Sequence, residues 1–302
     1  MTSSGGLESQ QSIRPKDMLL SGPAGGVIGA ANAAKNLGFQ RVITFDMGGT
    51  STDVARLDGR PTYRFSQSVA GMSLLSPCVA IETVAAGGGS ICHWKAGALA
   101  VGPQSAGADP GPACYGKGGP LTITDVNLLL NRFDVDKAPI PFDIQAAEDC
   151  CNELLETITS ATKEPITRAE LLESLLQLAI ESMGTAIRRI SVAEGYAPSD
   201  HALLAFGGAG PQHACALASH LGMDTVLVPQ NAGILSAVGL HQALPESFAE
   251  RQFLEPIETA QKYLPEWIDS LASDARLALS MRGIDSSECD DPFTLAELRL
   301  QG

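Results

Sequence analysis

The chain has 302 residues, of which 44% are hydrophobic and 18% charged, and its formal net charge at pH 7 is −14. The composition is typical of a folded protein with one or two domains, and the acidic balance argues against nucleic acid as a partner. No apolar run is long enough for a transmembrane helix, so we expect a cytoplasmic protein with no membrane partner. The seven cysteines include no C-x-x-C pair, which fits reduced thiols.

The first helical pattern, at residues 23–34, is built from small residues. Ser21 or Gly22 is placed to cap it, with Pro23 in the first turn, and alanine and glycine recur up to Ala34. A helix with so little side-chain bulk is weak in isolation. We therefore expect either a second helix or a ligand to approach its backbone closely.

Residues 42–54 are the most informative stretch. Val42, Ile43 and Phe45 predict a buried strand that ends at Asp46, and alternation from Thr52 onward predicts a second strand. The glycine pair between them then lies in a hairpin loop, unlike the glycine turns of Walker and dinucleotide motifs, which lead into a helix. Such a loop suits a phosphate, and flanking carboxylates suit magnesium. The alternative is an ordinary hairpin turn.

Three consecutive glycines, residues 87–89, follow an expected strand at 79–84. They contribute no packing, so we expect a ligand to approach their backbone. The long loop at 102–120 is also a functional candidate. Cys114 within it is a weak candidate nucleophile, because no activating group is visible nearby.

Three helices are expected next. The first, at 122–130, would be capped by Thr124 or Asp125, and the second spans 143–159. Thr167 and Glu170 form a capping box that opens a long third helix, which Gly195 ends.

A second glycine turn, residues 207–210, lies between a strand at 201–206 and a helix at 211–221. The following strand, at 225–228, ends without the acidic residue that a dinucleotide fold uses to hold ribose, which disfavours that fold. Gln212 and His213 fall on the first helical turn, where each either serves the site or faces solvent. Residues 231–240 form another small-residue helix, so two such helices and two glycine turns predict a cleft.

Five segments carry a family resemblance. They are residues 21–26 (SGPAGG), 45–53 (FDMGGTSTD), 85–90 (AAGGGS), 101–115 (VGPQSAGADPGPACY) and 206–215 (FGGAGPQHAC). In this order they resemble the hydantoinase A/5-oxoprolinase family, and residues 82–87 and 212–215 are most similar to its 5-oxoprolinase branch.

The resemblance implies an α/β fold of the actin/hexokinase-like (ribonuclease H-like) ATPase class, with a mixed sheet and flanking helices. On that plan residues 23–34 and 233–240 are linking helices, 46–53 is the second phosphate loop and 207–210 is the adenosine loop. Residues 1–242 would form the second ATPase domain. Residues 243–302, with twelve acidic and five basic side chains, would form an acidic helical segment leading into a truncated C-terminal domain.

The resemblance also implies a reaction, in which 5-oxo-L-proline, ATP and water give L-glutamate, ADP and phosphate. Asp46 and Asp53 would be the catalytic residues and would hold Mg²⁺. The phosphate loop would contribute Gly48, Gly49, Thr50, Ser51 and Thr52, and the adenosine loop would contribute Gly207, Gly208, Gly210 and, after it, Gln212.

Family members carry another Asp-x-Gly-Gly-Thr loop upstream, and residues 296–302 resemble the start of a strand that continues in the family. We therefore expect a fragment that is inactive alone, with partners in a first ATPase domain and a hydantoinase B-like region or subunit, and an oligomeric assembly. Alternatives are an ATP-dependent N-methylhydantoinase or ketone carboxylase subunit, a non-catalytic nucleotide-binding module, and a Rossmann oxidoreductase.

Overall fold

The computed structural model describes residues 1–69, 72–132, 134–138 and 140–298. The strand expected at 296–302 lies mostly outside the described residues. Within them, no helix is long and apolar enough to cross a membrane. All seven cysteines are free thiols, as the irregular spacing predicted.

A five-stranded sheet is the centre of the fold, and two separate two-stranded hairpins accompany it. The strands of the described residues are β1 (Arg41–Met47), β2 (Thr52–Asp58), β3 (Tyr63–Val69), β4 (Met72–Val79), β5 (Ile81–Val84), β6 (Ser90–Lys95), β7 (Ala98–Ser105), β8 (Ala202–Phe206) and β9 (Val226–Leu227). The large sheet has the order β5-β2-β1-β8-β9, and the hairpins are β3-β4 and β6-β7.

The large sheet is mixed, because β5, β2 and β1 are antiparallel neighbours while β8 and β9 run parallel to β1. This arrangement confirms the predicted mixed α/β sheet of the ribonuclease H-like class. It also rules out the Rossmann alternative, whose sheet is built from parallel strands.

Helices cover both faces of the sheet. The α-helices of the described residues are α1 (Ser21–Asn36), α2 (Ile123–Leu129), α3 (Ile144–Thr162), α4 (Arg168–Ile190), α5 (Gly210–Leu221), α6 (Leu235–Gln242), α7 (Ile257–Ala260) and α8 (Leu264–Ser280). Alternate residues of each strand face opposite ways. Thus Ile43 of β1 packs in the core with α4 and α5, whereas Val42 packs in the core with α1.

Some helix ends follow local sequence chemistry, but the predicted cap of α1 is wrong, because Ser21 and Gly22 lie inside the helix and Leu20 precedes it with no side-chain cap. The Thr167 backbone N–H donates to Glu170 Oε2 over 2.9 Å, which confirms the capping box of α4. Helix α4 itself ends at Ile190, and Gly195, in the left-handed conformation, terminates a short 3₁₀ turn that follows. The cap of α2 is Thr122, not Thr124 or Asp125, because the Asp125 carboxylate sits one turn in and accepts from the Thr122 backbone N–H.

The two hairpins went unpredicted, and the strand expected at 79–84 is in fact divided. Strand β4 ends at Val79 and β5 begins at Ile81, so the chain leaves one sheet and enters another across Ala80. This switch lets β5 pair with β2 along the edge of the large sheet.

Helices α1 and α6 cross with their backbones in contact. A Cβ atom on Gly239 would overlap the carbonyl oxygen of Gly25, and one on Gly29 would lie 2.6 Å from the carbonyl oxygen of Leu235. The small residues of both helices are therefore explained by helix packing, one of the two reasons that the sequence left open.

The segment after α6 packs on the start of the chain. Leu7 pairs with Pro245 in a parallel bridge. Arg282 donates to the carbonyl oxygens of Leu7 and Glu246 and forms an ion pair with Glu8. The described part of the segment after α6, residues 243–298, therefore contacts the N-terminal segment, although no residue of α8 is buried.

Candidate functional site

Two aspartates lie side by side at one end of the large sheet. Asp46 is near the end of β1, Asp53 is near the start of β2, and the two are directly opposite in the antiparallel register. Directly opposed residues on neighbouring strands have Cβ atoms about 4.5–5.5 Å apart. The structure therefore brings the two predicted carboxylates together.

Burial and like charge both act on this pair. Desolvation, with the neighbouring Asp53 carboxylate second, raises the pKa of Asp46 to about 6. Desolvation also raises the pKa of Asp53, and a hydrogen bond from Thr83 opposes that shift. A pair held in this way favours a cation, because a divalent ion would relieve both the repulsion and the lost hydration.

Two hydroxyl groups that the sequence reasoning missed contact the pair. Thr83 Oγ1 on β5 donates to Asp53 Oδ1 over 2.6 Å, and Ser236 Oγ on α6 donates to Asp46 Oδ2 over 3.3 Å. Neither lies in a glycine-rich motif. The available signal for Thr83 was its position as the third residue of the edge strand β5, and that position identifies no partner until the strand order is known.

The hairpin loop after Asp46 presents an open backbone. Nothing lies within 4 Å of a Cβ built on Gly48 or Gly49. Thr50 is exposed, and Ser51, half-buried, accepts the Gly48 N–H at its carbonyl oxygen over 3.1 Å. Thr52 differs from the expectation, since its side chain is fully buried and its hydroxyl donates to the carbonyl oxygen of Ala86. The Thr52 hydroxyl therefore holds the hairpin loop against the backbone of Ala86.

The three glycines at 87–89 lie directly behind this loop. The Gly88 and Gly89 N–H groups donate to the carbonyl oxygens of Gly48 and Gly49, over 3.0 and 2.6 Å. A Cβ on Gly87 would lie 2.7 Å from backbone atoms of Gly49 and Thr50. The close approach predicted here is real, but the partner is the hairpin loop instead of a ligand.

The second glycine turn reaches the same end of the sheet. Gly207 has a φ of +80°, and a Cβ there would overlap Asp46 Oδ1. The Ala209 N–H donates to the carbonyl oxygen of Met47 over 2.9 Å. Gly208 is open, whereas Gly210 is buried at the start of α5. The two predicted loops are thus joined directly beside Asp46.

Gln212 and His213 differ in burial. Gln212 is half-buried, whereas His213 is completely buried, so the expectation that it could face solvent is wrong. His213 Nε2 lies 3.2 Å from Asn127 Nδ2 on α2, and its Nδ1 has no partner. Desolvation, with a smaller contribution from Arg132, lowers the pKa of His213 to about 4, which keeps the ring neutral.

Cys114 is excluded as a nucleophile. The side chain is fully buried, and burial together with the nearby Asp125 carboxylate raises the pKa of its thiol far above the usual range. Asp125 instead accepts backbone N–H groups from Ala113, Cys114 and Thr122. The long loop is therefore held to the start of α2 by a buried carboxylate.

Metal ligands are sparse around the site. In the part of the chain that the structure describes, no group of three or more histidine, cysteine, aspartate or glutamate side chains converges. Mg²⁺ commonly binds through one or two carboxylates, with water and substrate phosphates completing its shell. The Asp46–Asp53 pair beside an open loop has the donor set for that kind of site.

The comparisons with known proteins identify the family of the chain. A sequence model described as hydantoinase/oxoprolinase matches residues 1–247. The chain belongs to the hydantoinase/oxoprolinase family. It is 46% identical over 252 residues to 5-oxoprolinase PfmaA of Pestalotiopsis fici and 45% identical over 254 residues to 5-oxoprolinase of Saccharomyces cerevisiae. Each alignment covers 80% of this chain, which spans only about a fifth of the length of either relative.

Solved structures of family relatives share the fold. The ATP-dependent caprolactamase from Pseudomonas jessenii is 31% identical with a TM-score of 0.74, over 91% of this chain and 42% of that one. Nucleotide-free acetone carboxylase is 25% identical with a TM-score of 0.72, over 95% of this chain and 42% of that one. Both are described as acting with ATP, so the fold is one that ATP-dependent relatives use.

Proposed function

We propose that this chain supplies the phosphate-binding and adenosine-binding loops of an ATP-dependent cyclic amide hydrolase acting on 5-oxo-L-proline. The observation that carries the proposal is the placement of the Asp46–Asp53 pair between an open glycine loop and the second glycine turn. Similarity to enzymes named 5-oxoprolinase supports the choice of substrate.

Each loop has a proposed task. The open backbone of Gly48, Gly49 and Thr50, with the Ser51 hydroxyl, would bind phosphate oxygens. The buried Thr52 would fix the loop in position. Flat, side-chain-free backbone lets a ligand approach closely. The residues proposed to receive adenosine are Gly207, Gly208, Gly210 and Gln212.

Asp46 and Asp53 are the residues that would hold Mg²⁺, and the raised pKa of Asp46 fits a site that is short of positive charge. When bound, the cation would neutralise charge on the transferred phosphoryl group. The carboxylates would orient the cation, and the loop backbone would position the phosphate beside them. Phosphoryl transfer needs this positioning and charge compensation more than it needs covalent protein chemistry.

In the proposed reaction the lactam oxygen of 5-oxoproline accepts the terminal phosphoryl group of ATP. This makes the amide carbon electrophilic, water adds to it, and the ring opens to L-glutamate with release of ADP and phosphate. The remaining parts of the reaction would come from a first ATPase domain and a hydantoinase B-like region or subunit. A relative named caprolactamase subunit alpha, 38% identical over 246 residues, supports a multi-subunit assembly.

Two other activities compete. Similarity to caprolactamase and acetone carboxylase keeps hydrolysis of another cyclic amide, such as N-methylhydantoin, and ketone carboxylation as alternatives. Phosphate release by the intact protein distinguishes them, with 5-oxoproline, N-methylhydantoin, caprolactam and acetone as the panel. We expect 5-oxoproline to stimulate release most, and equal release with no substrate would contradict the proposed activity.

Nucleotide binding is tested on this chain by calorimetry. We expect saturable binding of ADP with Mg²⁺, and loss of at least tenfold in affinity in Asp46→Ala, because the cation then loses a carboxylate. Asp58 is exposed at the other end of β2, so Asp58→Ala is the matched control and should bind ADP as the wild type does. Equal affinity in wild type and Asp46→Ala would reject the site assignment. Turnover that stays absent after a first domain is added would favour a non-catalytic nucleotide-binding module.

A further inference from the structure

The carboxylate pair is the middle of a row of four oxygen-bearing side chains. Thr83 on β5 is opposite Asp53 on β2, and Asp53 is opposite Asp46 on β1. Ser236 on α6 in turn contacts Asp46. The order is therefore hydroxyl, carboxylate, carboxylate, hydroxyl.

Each hydroxyl occupies one oxygen of its own carboxylate. Thr83 Oγ1 donates to Asp53 Oδ1, and Ser236 Oγ donates to Asp46 Oδ2. Among the described residues no hydrogen bond reaches Asp53 Oδ2 or Asp46 Oδ1. Each carboxylate thus keeps one oxygen available to a ligand.

An aspartate carboxylate can reorient by rotation about its Cα–Cβ bond, which has three staggered minima, and about its terminal torsion, which has a broad energy profile. Two like-charged carboxylates on neighbouring strands also repel each other, which favours rotation away from a shared point. A charge-assisted hydrogen bond to the outer oxygen opposes that rotation. Gly207 lies beside the Asp46 carboxylate, since a Cβ built on Gly207 would overlap Asp46 Oδ1.

We propose that Thr83 and Ser236 are positioning residues, which hold Asp53 and Asp46 in the orientations that leave one oxygen of each available to a shared divalent cation. The proposal rests on the proposed function, since a nucleotide site supplies the reason for a cation. Neither hydroxyl is assigned a contact with the nucleotide or with the cyclic amide.

Thr83 is the sharper test, because its side chain is exposed on an edge strand and its loss opens no core cavity. Thr83→Val keeps the shape and removes the hydroxyl, and Thr83→Ser restores the hydroxyl. Thr225→Val is the matched control, since Thr225 directly precedes β9 on the opposite edge of the sheet.

The first readout is Mn²⁺ affinity in the presence of ADP, followed by electron paramagnetic resonance on this chain. We expect Thr83→Val to bind Mn²⁺ about tenfold more weakly, as loss of a hydrogen bond to a charged group implies. Thr83→Ser and Thr225→Val should stay within about twofold of wild type. Wild-type affinity in Thr83→Val, or equal loss in Thr83→Ser, would overturn the proposal.

The second readout needs neither metal nor nucleotide. Three-bond NMR couplings of labelled aspartate report the torsion about the Cα–Cβ bond of Asp53, which sets the direction of its carboxylate. We expect a single rotamer in wild type and Thr83→Ser and averaged couplings in Thr83→Val. Ser236→Ala should likewise give averaged couplings for Asp46. If the wild type binds no Mn²⁺, the proposed function fails, and the couplings still decide the positioning role. Unchanged couplings in both Thr83→Val and Ser236→Ala would overturn the positioning role.

Discussion

At the scale of single residues, the proposed binding site at Asp46 and Asp53 conflicts with stability. Both side chains lose hydration on folding, and each is next to a like charge. Burying a carboxylate without a compensating cation disfavours its charged form. The site therefore weakens the cation-free protein at neutral pH, where both groups are charged in the unfolded chain.

Asp46→Asn should stabilise the chain at pH 7 in cation-free buffer. The pKa of Asp46 is about 6 in the folded state and 3.8 in the unfolded reference. The folded state therefore binds more protons between these values, and its stability falls as pH rises through that window, by up to about 3 kcal/mol. Urea denaturation of both proteins from pH 4 to 8 measures the difference, and a variant less stable than wild type at pH 7 would contradict it.

His213 should give the opposite pH dependence. Its folded pKa is about 4, below the reference of 6.5, so the unfolded chain binds more protons between these values. Stability from the neutral ring is complete above pH 6.5 and falls as pH drops toward 4, by about 3 kcal/mol. In His213→Gln this loss should disappear, while the exposed His241→Gln keeps it. The same pH dependence of the free energy of unfolding in wild type and His213→Gln would exclude this assignment to His213.

At the scale of elements, the sequence predicted those features that depend on neighbouring residues alone. The hairpin around Gly48 and Gly49 and the Thr167 capping box follow from neighbouring residues, and both were expected correctly. The contacts of Thr83 and Ser236 depend on which strands and helices meet, across 30 and 190 residues of sequence. No pattern within a segment carries that information, so these contacts were missed.

The α1–α6 crossing should be intolerant of a single methyl group. Gly239→Ala would place its Cβ against the backbone of Gly25 and Gly29, and both helices would have to separate. Overpacking of this kind costs about 1–3 kcal/mol, and contact with backbone puts the change at the upper end. Gly233→Ala, where nothing lies within 4 Å, should be nearly neutral. Thermal unfolding compares the two, and similar melting temperatures would contradict the close crossing.

At the scale of the whole molecule, the sheet order decides what the two glycine loops can do together. Strands β1 and β8 are parallel neighbours, so the loops that follow them emerge at one end of the sheet. The two small-residue helices and the two glycine turns predicted a cleft, and the family resemblance assigned roles to its loops, but no local pattern gave the strand order. We propose that the nucleotide-binding domain ends at residue 242, where α6 ends.

Arg282 should hold the segment after residue 242 against the start of the chain. Its guanidinium donates to the carbonyl oxygens of Leu7 and Glu246. Arg282→Gln should lower local stability by about 1–2 kcal/mol and speed exchange of the Leu7 amide, which donates to Leu244. Arg276→Gln, whose exposed partner Asp291 is 3.8 Å away, should leave that exchange unchanged. Equal exchange rates of the Leu7 amide in the two variants would show that Arg282 does not hold this segment.

The most direct test of the proposed site is a crystal structure of this chain with ADP and Mg²⁺. We expect the phosphates against the backbone of Gly48, Gly49 and Thr50, the cation between Asp46 and Asp53, and the adenosine on the turn that contains Gly208. A nucleotide bound elsewhere, or one bound at this end of the sheet without the two aspartates near its phosphates, would contradict the assignment.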